Sequence, residues 1–329
     1  MKNKHAKILN LLMLFVGCIL FAAVCRKVSW PDLTVLLSQI GWGIIPVMLV
    51  YPVMMLFHSA DLQSLLPARY RSPENFAQIF SIRVAGDSIN KITPFLDVGG
   101  EPLKVFLMVR RAGIRLTDAV TAIVVSRVGF ILSEIIFISA AWMLMWGFYP
   151  YPAVNLPILI SLIMSVVYLG SALVMQMRGA VKLVPRIAPL LGITPENHVW
   201  EEADLQLRQF YKKSFPGFLS SVVWQLAAWA FGSLEVYLFF KALGVDTGIM
   251  QALIFQAMLQ SVKTLSFMIP GNLGAQEGGL GLIAVHFGYT ATDGFALSLV
   301  KRFRQVVWLA IGILVWKIYF KKQTCHSQR

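Results

Sequence analysis

Charge is what this sequence has least of. Only 14% of its 329 residues are charged and 57% are hydrophobic, with a mean hydropathy of +0.68. Soluble domains carry about a quarter charged residues, so a water-soluble fold is not expected. Acidic residues are scarcer than basic ones, 16 against 29, leaving a formal charge of +13. Cysteine is scarce too: Cys18, Cys25 and Cys325 have no metal or disulfide spacing, and no role is assigned to them. His5, His58, His198, His286 and His326 are scattered. There is no His-Glu-x-x-His, no Walker loop and no Gly-x-Ser-x-Gly elbow. An enzyme is therefore not the first reading, and no metal or cofactor is expected.

What the chain has in quantity is apolar runs. A bilayer-spanning helix needs about 20 mostly apolar residues, and residues 8–24, 42–57, 119–147, 156–175, 217–240 and 297–316 qualify as full spans. The first follows Lys2, Lys4 and Lys7, and no small-residue cleavage site precedes Arg26 and Lys27. It is read as a retained signal anchor. The positive charge invites a nucleic-acid reading, but it lies mainly in short connections, where it sets topology. Lys2, Lys4 and Lys7, then Arg69 and Arg71, Arg110, Arg111 and Arg115, the cluster from Arg178 to Lys213, and Lys321 and Lys322 all fall on one side. The intervening connections 148–157, 244–248 and 288–294 contain no Lys or Arg, so both termini are expected in the cytoplasm. Only Arg26 and Lys27 dissent.

Residues 76–109 and 250–287 are apolar enough to enter a membrane but break at TPFLDVGGEP and IPGNLGAQEGG. Broken backbone at membrane depth is tolerated only inside protein or along a cavity. Each is read as a re-entrant helix-break-helix hairpin, with an amphipathic surface hairpin as the alternative. The two superimpose. Pro94 precedes Glu101 by seven residues as Pro270 precedes Glu277, and Gly113, Thr117, Asp118 and Arg127 have the spacing of Gly288, Thr292, Asp293 and Arg302. Three spans between the copies put them in opposite orientations, the arrangement of secondary transporters. The expected architecture is an all-α polytopic membrane protein with about six full spans plus two re-entrant hairpins in an inverted repeat. Its segments are two N-terminal spans in 1–75, a first repeat at 76–147, a cytoplasmic amphipathic segment at 177–215 and a second repeat at 250–320.

Ionisable groups within such spans are functional candidates, because burying them in lipid is costly. Arg127 and Glu134 lie two helical turns apart on one face. Lys301, Arg302 and Arg304 begin the last span, and the two arginines suit a phosphate through their forked guanidinium. Arg83, Asp87, Asn90 and Lys91 form a polar stripe, as do Gln256, Gln260 and Lys263. Gly99, Gly100, Glu101 and Pro102 read as a helix start. The alternative is that amides at 99–101 and 274–277, Gly274 among them, meet an anionic head group, with Glu101 and Glu277 pairing with arginines or taking up protons. The segment 177–215 reads as an amphipathic helix on the inner leaflet.

Around PGNLGAQEGGLGL, followed by Gly288 and Arg302, the sequence resembles the lysylphosphatidylglycerol synthase transmembrane, or flippase-like, family, whose signature is close to Pro-Gly-Gly-Leu-Gly-x-x-Glu. Pro270, Gly271, Gly274 and Glu277 match it, and Asn272 replaces its second Gly. Gly86, Asn90, Pro94, Gly99, Gly100, Arg110 and Gly113 resemble the family's pattern in the first hairpin, while Ser126 stands where many members carry an acid before Arg127. The family includes the flippase half of the multiple peptide resistance factor and stand-alone proteins, some linked to hopanoid biosynthesis. The resemblance implies a bacterial inner-membrane protein that moves or binds an anionic or isoprenoid-type lipid between the hairpins. A lipid-modifying enzyme and a non-transporting partner of a lipid-synthesis enzyme remain open, as does a homo-oligomer; nucleic acid is not an expected partner.

Overall fold

The computed structural model describes residues 30–92, 99–148, 152–178 and 197–326. The expected span at 8–24, the break at 93–98 with Pro94, and residues 179–196 lie outside them. Among the described residues every regular element is helical. Helix α1 (Trp30–Ile40) runs through a short 3-10 turn into α2 (Ile44–Ser64), followed by α3 (Pro73–Ile92), α4 (Glu101–Arg110), α5 (Leu116–Phe148) and α6 (Pro152–Arg178). Then come α7 (Asn197–Lys213), α8 (Phe215–Ala242), α9 (Ile249–Leu265), α10 (Ala275–His286) and α11 (Ala291–His326).

Among the described residues, four stretches are long and apolar enough to cross a membrane: Ser38–Ser64, Leu116–Gly147, Leu156–Val174 and Phe215–Ala242. They correspond to the expected spans at 42–57, 119–147, 156–175 and 217–240. The span expected at 297–316 lies within α11, which is 36 residues long. Its basic start separates it from the other four by composition, and those charges are internal, since Lys301 and Arg304 are buried. Large apolar side chains such as Leu49, Ile163, Val167, Val223 and Leu314 are exposed. In water such a rim would promote association; in hydrocarbon it is an ordinary lipid-facing surface.

The helices pack in matching sets. Helix α3 packs on α4, α2 and α11, while α9 packs on α10, α8 and α5; α4 packs on α5 as α10 does on α11. Helices α2 and α8 meet along their length between the two sets. Close approach within each helix pair depends on one glycine. A Cβ on Gly86 of α3 would collide with the Lys104 side chain of α4, and one on Gly279 of α10 would lie 2.7 Å from Val262 of α9. The offset of 176 residues that relates Pro94 to Pro270 matches Gly86 with Val262, and the offset of 175 that relates Gly113 to Gly288 matches Lys104 with Gly279, so the small residue has changed sides. Gly279→Ala is expected to cost roughly 1–3 kcal/mol through overpacking. Adding Val262→Ala should recover much of that loss, measured as the melting temperature in detergent.

Helix α7 buries Ala203, Leu207 and Phe210 in the same apolar cluster as α4 and α5. Its Gln206 donates to Asp118 at 2.8 Å, and Asp118 also accepts from Arg69 at 2.7 Å and Arg115 at 3.1 Å. The amphipathic pattern at 197–213 thus seats this helix against the bundle, where its sequence suggested a helix lying on the leaflet. The apolar face was legible; the surface that receives it is formed by residues distant in sequence.

Candidate functional site

A cavity of about 660 Å³ lies among α2, α3, α5, α6, α8, α9 and α11. That is within the range of sites that hold drug-sized ligands, roughly 300–1,000 Å³. Asp87, Asn90, Glu101, Arg127, Glu134, Lys263, Gly271, Arg302 and Arg304 all line it. Residues from both polar stripes and both ends of the Arg127 and Glu134 pair therefore converge on one space. Gly100, Gly274 and Glu277 stand behind its wall, Gly99 is exposed in the turn before α4, and Pro270 starts the turn after α9. Seven basic and four acidic side chains line the cavity, an excess of positive charge. Along α6 the lining includes the apolar Ile163, Met164 and Val167, and Ile163 and Val167 are also exposed at the surface.

On the α3 and α4 side, Lys104 is buried and bonds Asp87 at 2.6 Å and Glu101 at 3.0 Å. Arg83 bonds the other Asp87 oxygen at 3.1 Å. Asn90 accepts from the Gly100 amide at 2.5 Å and donates to Glu101 at 3.2 Å. This is why α4 starts where it does: the side chain of α3 caps an amide that the helix cannot satisfy. A Cβ on Gly100 would meet the Gly86 carbonyl.

On the α9 and α10 side, the chain turns through Gly271, Asn272 and Gly274 at φ of 60°, 53° and 76°. These left-handed values favour Gly and tolerate Asn, so Asn272 serves where the signature has Gly. Its amide nitrogen also donates to the Lys263 and Ser266 carbonyls at 3.1 and 3.2 Å. Glu277 accepts from the Gly274 amide at 2.7 Å. Arg302 joins this turn to α11: Nε donates to Glu277 at 2.7 Å, and the two terminal nitrogens donate to the Gly271 and Asn272 carbonyls at 2.6 and 3.3 Å.

Two expectations change here. The Gly100 and Gly274 amides are occupied by Asn90 and Glu277 within the protein, so the head-group contact expected of those amides is replaced by capping. Glu101 pairs with Lys104, where an arginine was expected, while Glu277 does pair with one. Arg127 and Glu134 turn to different partners. Glu134 accepts from Thr264 at 2.6 Å and Gln260 at 3.2 Å, whereas Arg127 donates to Tyr168 at 3.2 Å and lies over the Phe130 ring.

Sequence reading missed two buried clusters. Glu235 of α8 accepts from Lys301 at 2.6 Å and pairs with Arg304, which lies over the Tyr51 ring at 4.5 Å. Asp61 of α2 accepts from Ser126 of α5 at 2.6 Å, Gln225 of α8 at 2.5 Å, and Ser221. The acid absent at position 126 is thus supplied within hydrogen-bond reach by another helix. The available signal was a single carboxylate in a largely apolar helix: Asp61 is the one Asp or Glu of α2, and Glu235 the one of α8.

Several apolar crossing helices around a charged interior define an all-helical, multi-pass membrane protein. The chain belongs to the family described as the lysylphosphatidylglycerol synthase TM region, which matches residues 8–312. That family relates to the handling of membrane lipids. No curated protein and no solved structure matches the chain.

Proposed function

We infer that this protein is a lipid translocase that receives an anionic head group in the central cavity and passes it between the leaflets. The single observation that carries this reading is the cavity itself: a mid-bundle space with excess positive charge, both broken helices in its wall, and apolar residues on α6 that reach the outer surface. Gln256 Oε1 and Ser165 Oγ line it as buried atoms without a hydrogen-bond partner among the described residues. They are available to a ligand.

Helix lengths support the re-entrant reading. Helix α4 has 10 residues and α10 has 12, about 15 and 18 Å at 1.5 Å per residue. Neither reaches across a hydrocarbon core of about 30 Å. The matching packing sets, the glycine that changes sides and the left-handed Gly113 and Gly288 that end α4 and α10 support an internal repeat. The basic residues at 110–115, with none at 288–294, support opposite orientations in a bacterial inner membrane with cytoplasmic termini.

The test is movement of fluorescent phosphatidylglycerol in proteoliposomes, with mass spectrometry of the recovered lipids. Faster exchange between leaflets with unchanged lipid mass supports the translocase. A covalently altered lipid without exchange would favour the enzyme reading, with Glu101, Glu134 or Glu277 as the base. Neither change, together with a stoichiometric co-purifying enzyme, would favour the partner role.

A further inference from the structure

We propose that Asp61 is a proton-binding site beside the cavity, and that taking up a proton there strengthens the binding of an anionic ligand. The inference rests on the translocase reading for what the ligand is, but the site stands on its own geometry. Asp61 is fully buried and receives hydrogen bonds from two hydroxyls and one carboxamide. All three donors are neutral. Glu235 and Glu277 each bond a lysine or arginine directly, whereas Glu134 resembles Asp61 in accepting from the neutral Thr264 and Gln260.

The surrounding groups suit both protonation states. When Asp61 is ionised, all three neighbours donate to it. When it gains a proton, either serine can rotate its hydroxyl to accept one bond, because a hydroxyl both donates and accepts. No side chain has to leave. The site also communicates with the cavity, since His58, Ser126 and Gln225 line it. With the Gln225 nitrogen donating to Asp61, its oxygen faces His58 Nδ1 at 2.7 Å. That ring nitrogen therefore carries a hydrogen whether the imidazole is neutral or charged, and the network persists in both states.

The charged groups acting on Asp61 and His58 are Arg83 and Asp87 from α3 and Lys104 from α4; α5 and α8 contribute the neutral Ser126, Ser221 and Gln225. Arg83 and Lys104 also line the cavity. The step is an acid–base one: a proton from water binds a carboxylate oxygen, the site changes from minus one to zero, and nothing is oxidised. Arg83 then has one fewer negative neighbour, so an anion in the cavity is held more firmly. By reciprocity, binding the anion raises the affinity for the proton.

The experiment measures binding of phosphatidylglycerol to the full chain in detergent between pH 5.5 and 8, in sodium-free buffer, with proton uptake followed by a pH indicator at weak buffering. Glycerophosphoglycerol, a phosphodiester monoanion with the same head group and no acyl chains, is the second probe. The wild type should lose about 5- to 150-fold in affinity as pH rises, with proton uptake peaking at roughly 0.4 to 0.85 per ligand by the same linkage. Asp61→Asn should bind at every pH as the wild type does at low pH, with no uptake. Binding without a pH response, a response that survives Asp61→Asn whether His58→Gln or Glu134→Gln removes it, or a requirement for sodium overturns the proton site. If Asp61→Asn does not fold, the wild-type count decides: uptake that peaks within that range supports the site and zero at every pH overturns it. Proton uptake with glycerophosphoglycerol but no binding of phosphatidylglycerol would keep the proton site and overturn the lipid reading.

Discussion

Replacing Arg302 with Ala is expected to lower lipid exchange in proteoliposomes to the rate of protein-free vesicles. Arg302 satisfies three acceptors at once: the Glu277 carboxylate and the carbonyls of Gly271 and Asn272. The last two belong to a turn whose left-handed backbone leaves those carbonyls outside any helix. Without the guanidinium, Glu277 keeps its bonds to the Gly274 amide and Ser298, but the turn loses its tie to α11. Arg302→Lys should recover only part of the exchange, because an ammonium is a point donor and cannot reproduce the planar fork. Glu277→Gln should resemble the Lys variant, since a carboxamide oxygen can still accept from Arg302. Full exchange by both Arg302→Ala and Glu277→Gln would remove this turn from the transport path.

The largest stability effect is expected at Glu235. It lies between Lys301 and Arg304, and all three side chains are nearly inaccessible. Glu235→Ala would leave two cations buried with no carboxylate, a loss of about 3–5 kcal/mol for breaking a buried ion pair. The triple variant Glu235→Leu, Lys301→Met, Arg304→Met should fold better than Glu235→Ala alone, because an apolar set of similar volume avoids the desolvation cost. Thermal unfolding in detergent checks the order. A Glu235→Ala protein as stable as the wild type would mean that water reaches the cluster.

The breaks in the fold were legible because Pro and Gly interrupt apolar runs at matched positions, and the polar stripes were legible because helical periodicity puts their members on one face. That is why so many cavity residues could be named from spacing alone. Partnerships between helices were not legible. Asp61 and Gln225 are 164 residues apart, and Glu235 and Lys301 are 66 apart; an isolated polar residue in an apolar run shows that it needs a partner without showing which helix supplies it. Lys104 carries no signal of its own in the sequence; the room for its side chain comes from Gly86 on another helix. The capping of the amides at 100 and 274 was not legible for a related reason, since a helix start in isolation always offers unpaired N–H groups, and only the fold brings up Asn90 from another helix.

The central claim is that the two broken helices enter from opposite faces of the membrane and meet at the cavity. Their outer ends are marked by Arg115, just before α5, and Ala291, at the start of α11; both are exposed. Single cysteines at these positions, with Cys18, Cys25 and Cys325 replaced, can be labelled by a membrane-impermeant maleimide in right-side-out vesicles. The account predicts that Ala291→Cys reacts directly and Arg115→Cys reacts only after permeabilisation. Labelling of both from the same side would contradict it.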